Sequence, residues 1–204
     1  MNGNCHNSGV GARKADGPAA SDACVAVAAE PEPDPPPGLF VDIVIEDDGW
    51  AAIGSPDDLV ARLAQLAALE IQLPDERFEA ALALSTDARV QTLNRDFRGK
   101  DTATNVLSFP AMDSVAGARS PESAIFAGDI IVARETLWRE AEERGIGVRD
   151  HFAHLTVHGL LHLFGYDHLT DADADVMEQH EVAILAKLGI ADPYSEEDTY
   201  GSLG

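Results

Sequence analysis

The sequence predicts one α+β domain in which a small mixed β-sheet is flanked by helices. Its length of 204 residues is sufficient for a single domain with a proper core. Strand-like and helix-like segments alternate irregularly along the chain, which is typical of α+β proteins rather than of regular βαβ repeats. We expect the fold to cover about residues 39–195.

Alternating or continuous apolar runs predict four strands, at residues 39–47, 78–85, 104–109 and 127–133. Helical periodicity and end signals predict five helices, at residues 55–71, 86–95, 134–145 and 148–165 and from residue 170 onward. Ser55, Thr86 and Thr170 are predicted caps at helix starts, and Pro56 is predicted at a first helical position. Gly145 and Gly165 are predicted to end helices in the left-handed conformation.

Residues 1–38 differ in composition from the rest of the chain. They are rich in Gly, Ala, Pro and Asp and end in a proline run, so we predict a disordered extension. A signal peptide is not expected, because the short apolar run around Cys24 follows acidic residues. Residues 196–204 are predicted to be a flexible acidic tail. Both cysteines, Cys5 and Cys24, precede the predicted domain, so a metal in the fold must be held by histidine or carboxylate. This pattern favours a cytoplasmic protein.

The chain is strongly acidic, with a formal net charge of −22. From residue 39 onward, 31 acidic residues face 12 basic ones, which leaves a net charge of −19. This balance argues against broad attraction to nucleic acids, and no DNA partner is expected. No apolar run approaches the length of a membrane span, so no membrane partner is expected either. An RNA-binding role would require a locally basic patch.

Three histidines in "HGLLHLFGYDH" form the principal candidate site. His158 and His162 lie one helical turn apart, and Gly165 can turn the chain so that His168 approaches them. The first half resembles the zinc-protease signature H-E-x-x-H, but Gly159 stands where the catalytic glutamate belongs. Three imidazoles with an open fourth position describe a catalytic zinc site. Nickel or copper would also accept these ligands.

Other histidines of the chain have simpler interpretations. A lone H-x-x-x-H pair arises by chance fairly often, and it is the third histidine that favours a metal site. His151 and His154 share the helical face of His158. They could support the ligands from outside the coordination sphere or face the substrate, but we interpret each as a partly buried structural residue. His180 is predicted at the surface. Asp167 is a candidate to support the ligands from outside the coordination sphere.

The segment "RDFRGK" is a rare basic cluster in this acidic chain. It contains Arg95, Arg98 and Lys100. One interpretation is a solvated surface cluster. The other is phosphate binding, for which the planar guanidinium of Arg98 is suited because it can donate two parallel hydrogen bonds. Arg95 and Lys100 are weaker phosphate-binding candidates.

The sequence resembles the YbeY family of bacterial endoribonucleases. "HGLLHLFGYDH" is similar to the family signature H-G-x-L-H-L-x-G-Y-D-H, and "LNRDFRGKDTATNVLSFP" to a second block in which Ala103 replaces the common proline. "AGDIIVA" and "DPY" match two shorter blocks, so the resemblance spans about residues 40–194. It implies that His158, His162 and His168 bind one metal ion and that Arg98 is the functional arginine.

The resemblance further implies a single-strand-specific, metal-dependent endoribonuclease of ribosomal RNA processing. The implied roles are maturation of the 16S rRNA 3′ end and ribosome quality control, with ribosomal RNA and the small ribosomal subunit as partners. The attacking group, water or the ribose 2′-hydroxyl, stays open, as do the metal's identity, the cleavage site and the oligomeric state. The alternatives are a non-catalytic, zinc-stabilised ribosome assembly factor and, third, a metalloprotease.

Deletion of residues 1–38 is expected to change the melting temperature little, because this composition offers no large core side chains. Thermal unfolding of the truncated and full-length chains, followed by circular dichroism, is the measurement. A large drop on truncation would mean that the extension packs on the domain.

Overall fold

The computed structural model describes residues 37–111 and 124–195. The extension predicted at residues 1–38 therefore lies almost wholly outside the described residues, as do the centre of the loop after the third strand and the predicted acidic tail. The first strand begins at Gly38, whose N–H donates to the carbonyl of Glu76 at 2.9 Å. A truncation that tests the extension should therefore retain Pro37 and Gly38.

The described residues form the predicted mixed sheet and five helices. The strands are β1 (Gly38–Ile45), β2 (Arg77–Ser85), β3 (Val106–Pro110) and β4 (Ile125–Ala133). The helices are α1 (Asp57–Glu70), α2 (Asp87–Arg98), α3 (Arg134–Arg144), α4 (Val148–Leu163) and α5 (Asp171–Ala186). A short 3₁₀ helix, Asp48–Ile53, was not predicted. No helix within these described ranges is both long and apolar enough to cross a membrane.

The sheet has the strand order β1-β2-β4-β3. Strands β1, β2 and β4 are parallel, and β3 pairs antiparallel with β4 at one edge. The α+β prediction is confirmed, and the irregular alternation in the sequence has a structural reason. The connection from β2 to β4 contains both α2 and the reversed edge strand β3, which interrupts the regular βαβ pattern.

Most of the core lies on one face of the sheet. There Leu63 of α1, Leu82 of β2 and Leu160 of α4 are all fully buried. A smaller apolar cluster on the opposite face includes Val90 of α2 and Ile131 of β4. Successive side chains of a strand point to opposite faces, so β4 contributes to both clusters.

Helix α4 is the most enclosed element, in contact with β3, β4, α1, α3 and α5. It approaches the sheet closely at Gly159. A Cβ atom added at Gly159 would lie 2.8 Å from Cγ2 of the buried Ile130 on β4. The hydroxyl of Ser108 on β3 donates to the Gly159 carbonyl at 3.3 Å. The glutamate of the zinc-protease signature is therefore absent because this position has no room for a side chain.

Two predicted helix ends need correction. The predicted cap Ser55 does not cap α1, because its hydroxyl donates to the Asp57 carboxylate at 2.7 Å instead of accepting a backbone N–H. Pro56 occupies the cap position and makes no side-chain cap bond. Helix α2 was predicted to end near Arg95 but continues to Arg98. Arg95 and Arg98 therefore lie in its last helical turn.

Substitution of Gly159 by alanine is expected to destabilise the fold by about 1–3 kcal/mol, since the added methyl group overpacks the contact with Ile130. The direction of this change in stability is diagnostic, because glycine-to-alanine substitution in an exposed helix stabilises by about 1 kcal/mol. Urea denaturation of the wild-type and Gly159→Ala chains measures the change in the free energy of unfolding. In an Ile130→Ala background, which removes the facing branch, Gly159→Ala should become neutral or stabilising. Equal destabilisation in both backgrounds would contradict the steric explanation.

Candidate metal centre and the adjoining cleft

His158 and His162 project from one face of α4 and lie side by side. Their ring centroids are 4.5 Å apart and their Nε2 atoms are 3.0 Å apart. On the opposite side of the helix, Val157, Leu160 and Leu161 are fully buried. Packing of the apolar stripe on the sheet thus fixes the direction in which the histidines point.

The hydrogen-bond partners of the two rings determine their tautomers. Nδ1 of His162 lies 2.8 Å from the Tyr166 carbonyl, and Nδ1 of His158 lies 2.9 Å from Oε1 of Glu181. Both partners are acceptors, so each Nδ1 carries the proton and each neutral ring has a lone pair on Nε2. Two lone pairs 3.0 Å apart repel each other. A cation bound by both nitrogens turns this repulsion into attraction.

His168 completes the group from beyond the helix end. Gly165, at φ +87°, lets the chain turn back, as the sequence predicted. The His168 ring then stacks over the His158 ring, with the two centroids 5.6 Å apart. Its centroid lies 5.2 Å from that of His162. Asp167 does not support the ring by a hydrogen bond. Its carboxylate accepts the backbone N–H of His168, and it lies 4.0 Å from Nδ1.

The three imidazoles have the properties that a transition-metal ion requires. One nitrogen from each ring lies within 4.8 Å of the others, so the three rings could hold a single ion. Burial and the neighbouring His158 lower the pKa of His162. The neutral, metal-binding form of this ring is therefore favoured at neutral pH. A neutral set of three nitrogen donors fits zinc and also nickel or copper.

Arg98 and the three histidines line one cleft of about 430 Å³. Nη2 of Arg98 donates to the Ser108 carbonyl at 3.1 Å, which draws the guanidinium over β3. The buried amide of Asn94 donates to the Thr102 carbonyl at 2.7 Å and holds the loop after α2 against the helix. The structure thus brings all four predicted site residues to the same cleft, although they are distant in sequence.

The other two basic candidates differ from each other. Lys100 also lines the cleft. Arg95 forms ion pairs with Asp96 at 3.0 Å and Asp101 at 3.9 Å and is not among the cleft-lining residues. Arg95 thus fits the solvated-surface interpretation, whereas Arg98 is exposed and also lines the cleft.

Sequence reasoning missed Glu181 on α5. Its fully buried carboxylate contacts His158 and, through Oε2, also Nε2 of His154 at 2.8 Å and the hydroxyl of Tyr194. Burial by itself would raise the pKa of Glu181, but the hydrogen bonds with His154, His158 and Tyr194 outweigh burial and lower it to about 2. The sequence signal was available, because Glu181 interrupts the buried stripe formed by Met177 and Ile184.

Three further histidines lie within the described residues. His151 and His154 are buried, more deeply than the partial burial predicted, and His151 pairs with Glu140 at 2.8 Å. The surface placement predicted for His180 is wrong. Its ring packs edge-on against Tyr166 and its side chain is only 24% exposed, because α5 turns this face toward Glu70 of α1.

Comparisons with known proteins agree on one family. The sequence model of the family described as "Endoribonuclease YbeY" matches residues 53–189. Proteins named "Endoribonuclease YbeY" from Paramagnetospirillum magneticum and Azorhizobium caulinodans are 49% and 46% identical to this chain. The matches cover 67% and 77% of this chain, and 83% and 97% of those proteins.

A solved structure, the solution structure of TM1509 from Thermotoga maritima, aligns with 76% of this chain and 99% of its own length, at a TM-score of 0.47 and 22% identity.

The family match covers well over half of the chain, and the relatives are matched over most of their length. The chain belongs to the endoribonuclease YbeY family.

Proposed function

We propose that the cleft between α2 and α4 binds single-stranded RNA and cleaves it with the help of one metal ion held by His158, His162 and His168. The chain belongs to a family of RNA-processing endoribonucleases, so its reaction is cleavage of an RNA phosphodiester bond. The proposed substrate is ribosomal RNA in the cytoplasm, with maturation of the 16S rRNA 3′ end and ribosome quality control as the roles.

One observation carries the proposal. The Nε2 atoms of His158 and His162 face each other at 3.0 Å in the same cleft that Arg98 lines. A cation site and a guanidinium that line one cleft are complementary to a phosphodiester, which is anionic and gains negative charge on its oxygens during displacement. We propose zinc as the ion. When bound, it supplies Lewis-acid stabilisation of that charge.

The residues of the chain have separate tasks in this proposal. Arg98 donates N–H groups to a phosphoryl oxygen, and its bond to the Ser108 carbonyl pre-orients the guanidinium. Lys100 adds a second positive charge in the cleft. The attacking oxygen is that of water or of the ribose 2′-hydroxyl. Neither route uses a carboxylate at position 159, where Ile130 leaves no room for one.

The charge distribution of the chain favours RNA that is positioned by a docking partner over RNA that is bound tightly by the chain alone. Residues 39–204 carry a formal net charge of −19, and α5 contains five acidic residues and neither lysine nor arginine. The basic side chains of the cleft belong to the end of α2 and the loop that follows. We therefore propose that RNA lies along that wall, in single-stranded form because a splayed backbone is needed to reach the cleft. The small ribosomal subunit, as the docking partner, would supply the missing affinity.

A non-catalytic, zinc-stabilised assembly factor is the second candidate. The observation that favours it is the absence, among the described cleft-lining residues, of a carboxylate that could act as a general base. The decisive experiment incubates ribosomal RNA precursor with zinc-loaded protein and with chelated protein. Cleavage by the zinc-loaded form alone supports the enzyme, and cleavage by neither form supports the assembly factor.

Purified protein is expected to contain about one transition-metal ion per chain, and chelation is expected to lower the melting temperature. His158 and His162 belong to α4 while His168 follows it, so the ion ties two segments together. Ligand linkage predicts about 2.7 kcal/mol of stabilisation at free zinc 100-fold above its Kd. Elemental analysis and thermal unfolding are the measurements. Metal content far below one ion per chain would refute this assignment of the histidines.

Substitution of Arg98 by alanine is expected to keep the metal and most of the stability but to slow RNA cleavage by about 10²–10³, the usual value of one charge-stabilising donor. Arg98→Lys should recover part of the rate, because an ammonium group cannot make the two-pronged contact. His162→Ala should lose metal, stability and cleavage together.

Arg95→Ala is the matched control for these variants. Arg95 lies in the last turn of α2, as Arg98 does, but it pairs with Asp96 and does not line the cleft. Its loss should therefore leave the cleavage rate nearly unchanged. Metal content, melting temperature and cleavage rate are measured on all four variants. Cleavage by Arg98→Ala at the wild-type rate would contradict the assignment of Arg98 to the site.

A further inference from the structure

We propose that Glu181 is a positioning residue of the metal centre: its carboxylate fixes the tautomer and ring orientation of His158, and Tyr194 and His154 fix the carboxylate. The inference rests on the proposed metal site and assigns to α5 and the C-terminal segment a role in building it. Glu181 would not itself bind the ion, because both of its oxygens are engaged by other groups.

The three candidate ligands are supported in different ways. His162 donates to a backbone carbonyl, that of Tyr166. The His168 side chain is 55% exposed, and its nearest carboxylate lies 4.0 Å away. Among the described residues, Glu181 is the one carboxylate within hydrogen-bond distance of a ring nitrogen of these three histidines, at 2.9 Å from Nδ1 of His158. His158 is therefore the ligand whose geometry depends on a charged partner.

This bond has two effects on the Nε2 atom of His158. A carboxylate accepts only, so Nδ1 must donate, and Nε2 is left with the lone pair that a metal needs. The negative charge next to the ring also makes Nε2 a stronger donor and attracts a divalent cation, and this attraction is large because the carboxylate is fully buried. The negative charge of Glu181 would thereby compensate part of the positive charge of a cation held by three neutral imidazoles.

The carboxylate is held in place from three directions. Oε1 accepts from His158, and Oε2 accepts from Nε2 of His154 at 2.8 Å and from the hydroxyl of Tyr194. His154 lies one helical turn before His158 on α4, whereas Tyr194 comes from the segment after α5. With every donor satisfied and no solvent access, Glu181 has no alternative rotamer that keeps these bonds.

The isosteric substitution Glu181→Gln tests this arrangement with little change in volume. Glutamine offers one acceptor oxygen in place of two, and its NH₂ group must face at least one of the donors on His154, His158 or Tyr194. The His158 ring then loses its fixed tautomer or its orientation. Glu140→Gln is the matched control, because Glu140 forms a 2.8 Å bond to His151 on the same helix but touches none of the three candidate ligands.

Zinc affinity is measured with Zn²⁺ alone, by competition against a chromophoric chelator, on the full-length wild-type, Glu181→Gln and Glu140→Gln chains. Glu181→Gln should raise the Kd for zinc about 10–100-fold, the usual effect of losing such a support, while Glu140→Gln should stay near the wild-type value. An unchanged Kd in Glu181→Gln, or an equal loss in both variants, would overturn the proposal.

A second measurement needs no variant and so does not depend on whether Glu181→Gln folds. Long-range ¹H–¹⁵N correlation spectra of the wild-type chain report which nitrogen of His158 is protonated. We expect the Nδ1–H tautomer both with and without zinc. An Nε2–H tautomer in the zinc-free chain would overturn the proposal. Neither readout involves RNA, so zinc-loaded protein that fails to cleave RNA would refute the proposed function and leave the role of Glu181 standing.

Discussion

The close approach of α4 to the sheet at Gly159 is the constraint on which the arrangement of the cleft depends. A glycine there lets the helix backbone come near Ile130 and lets the Ser108 hydroxyl reach the Gly159 carbonyl. The carbonyl of the same Ser108 accepts from Arg98. One residue of the edge strand thus joins the helix that carries the histidines to the arginine on the opposite wall.

Three histidines on α4 are paired in the same way. His151, His154 and His158 lie along one side of the helix, and each pairs with a carboxylate supplied by a neighbouring helix, Glu140 of α3 or Glu181 of α5. Burial of an unpaired imidazole or carboxylate would cost several kcal/mol. Pairing makes the row of histidines compatible with the most enclosed helix of the domain, and it links α3, α4 and α5 by polar as well as apolar contacts.

Much of this could be predicted from the sequence because the signals are local. Helical spacing placed His158 and His162 on one face, and Gly165 signalled the turn that returns His168. The sheet order, with β3 reversed at the edge, could not be predicted, since pairing is decided by contacts between segments distant in sequence. Asp167 was chosen as the supporting acid because it is adjacent to His168. Glu181 lies 23 residues after His158. Its interruption of the apolar stripe of α5 signals a buried acid but does not reveal which histidine it contacts.

The position of Tyr194 in the chain has a consequence for synthesis. Translation delivers α4 first, then His168, then Glu181, and Tyr194 follows 13 residues later, close to the last described residue. The sheet and α4 are therefore synthesised before the residue that completes the support of Glu181. A chain interrupted before Tyr194 would keep the three histidines but lack one of the groups that hold the Glu181 carboxylate beside His158.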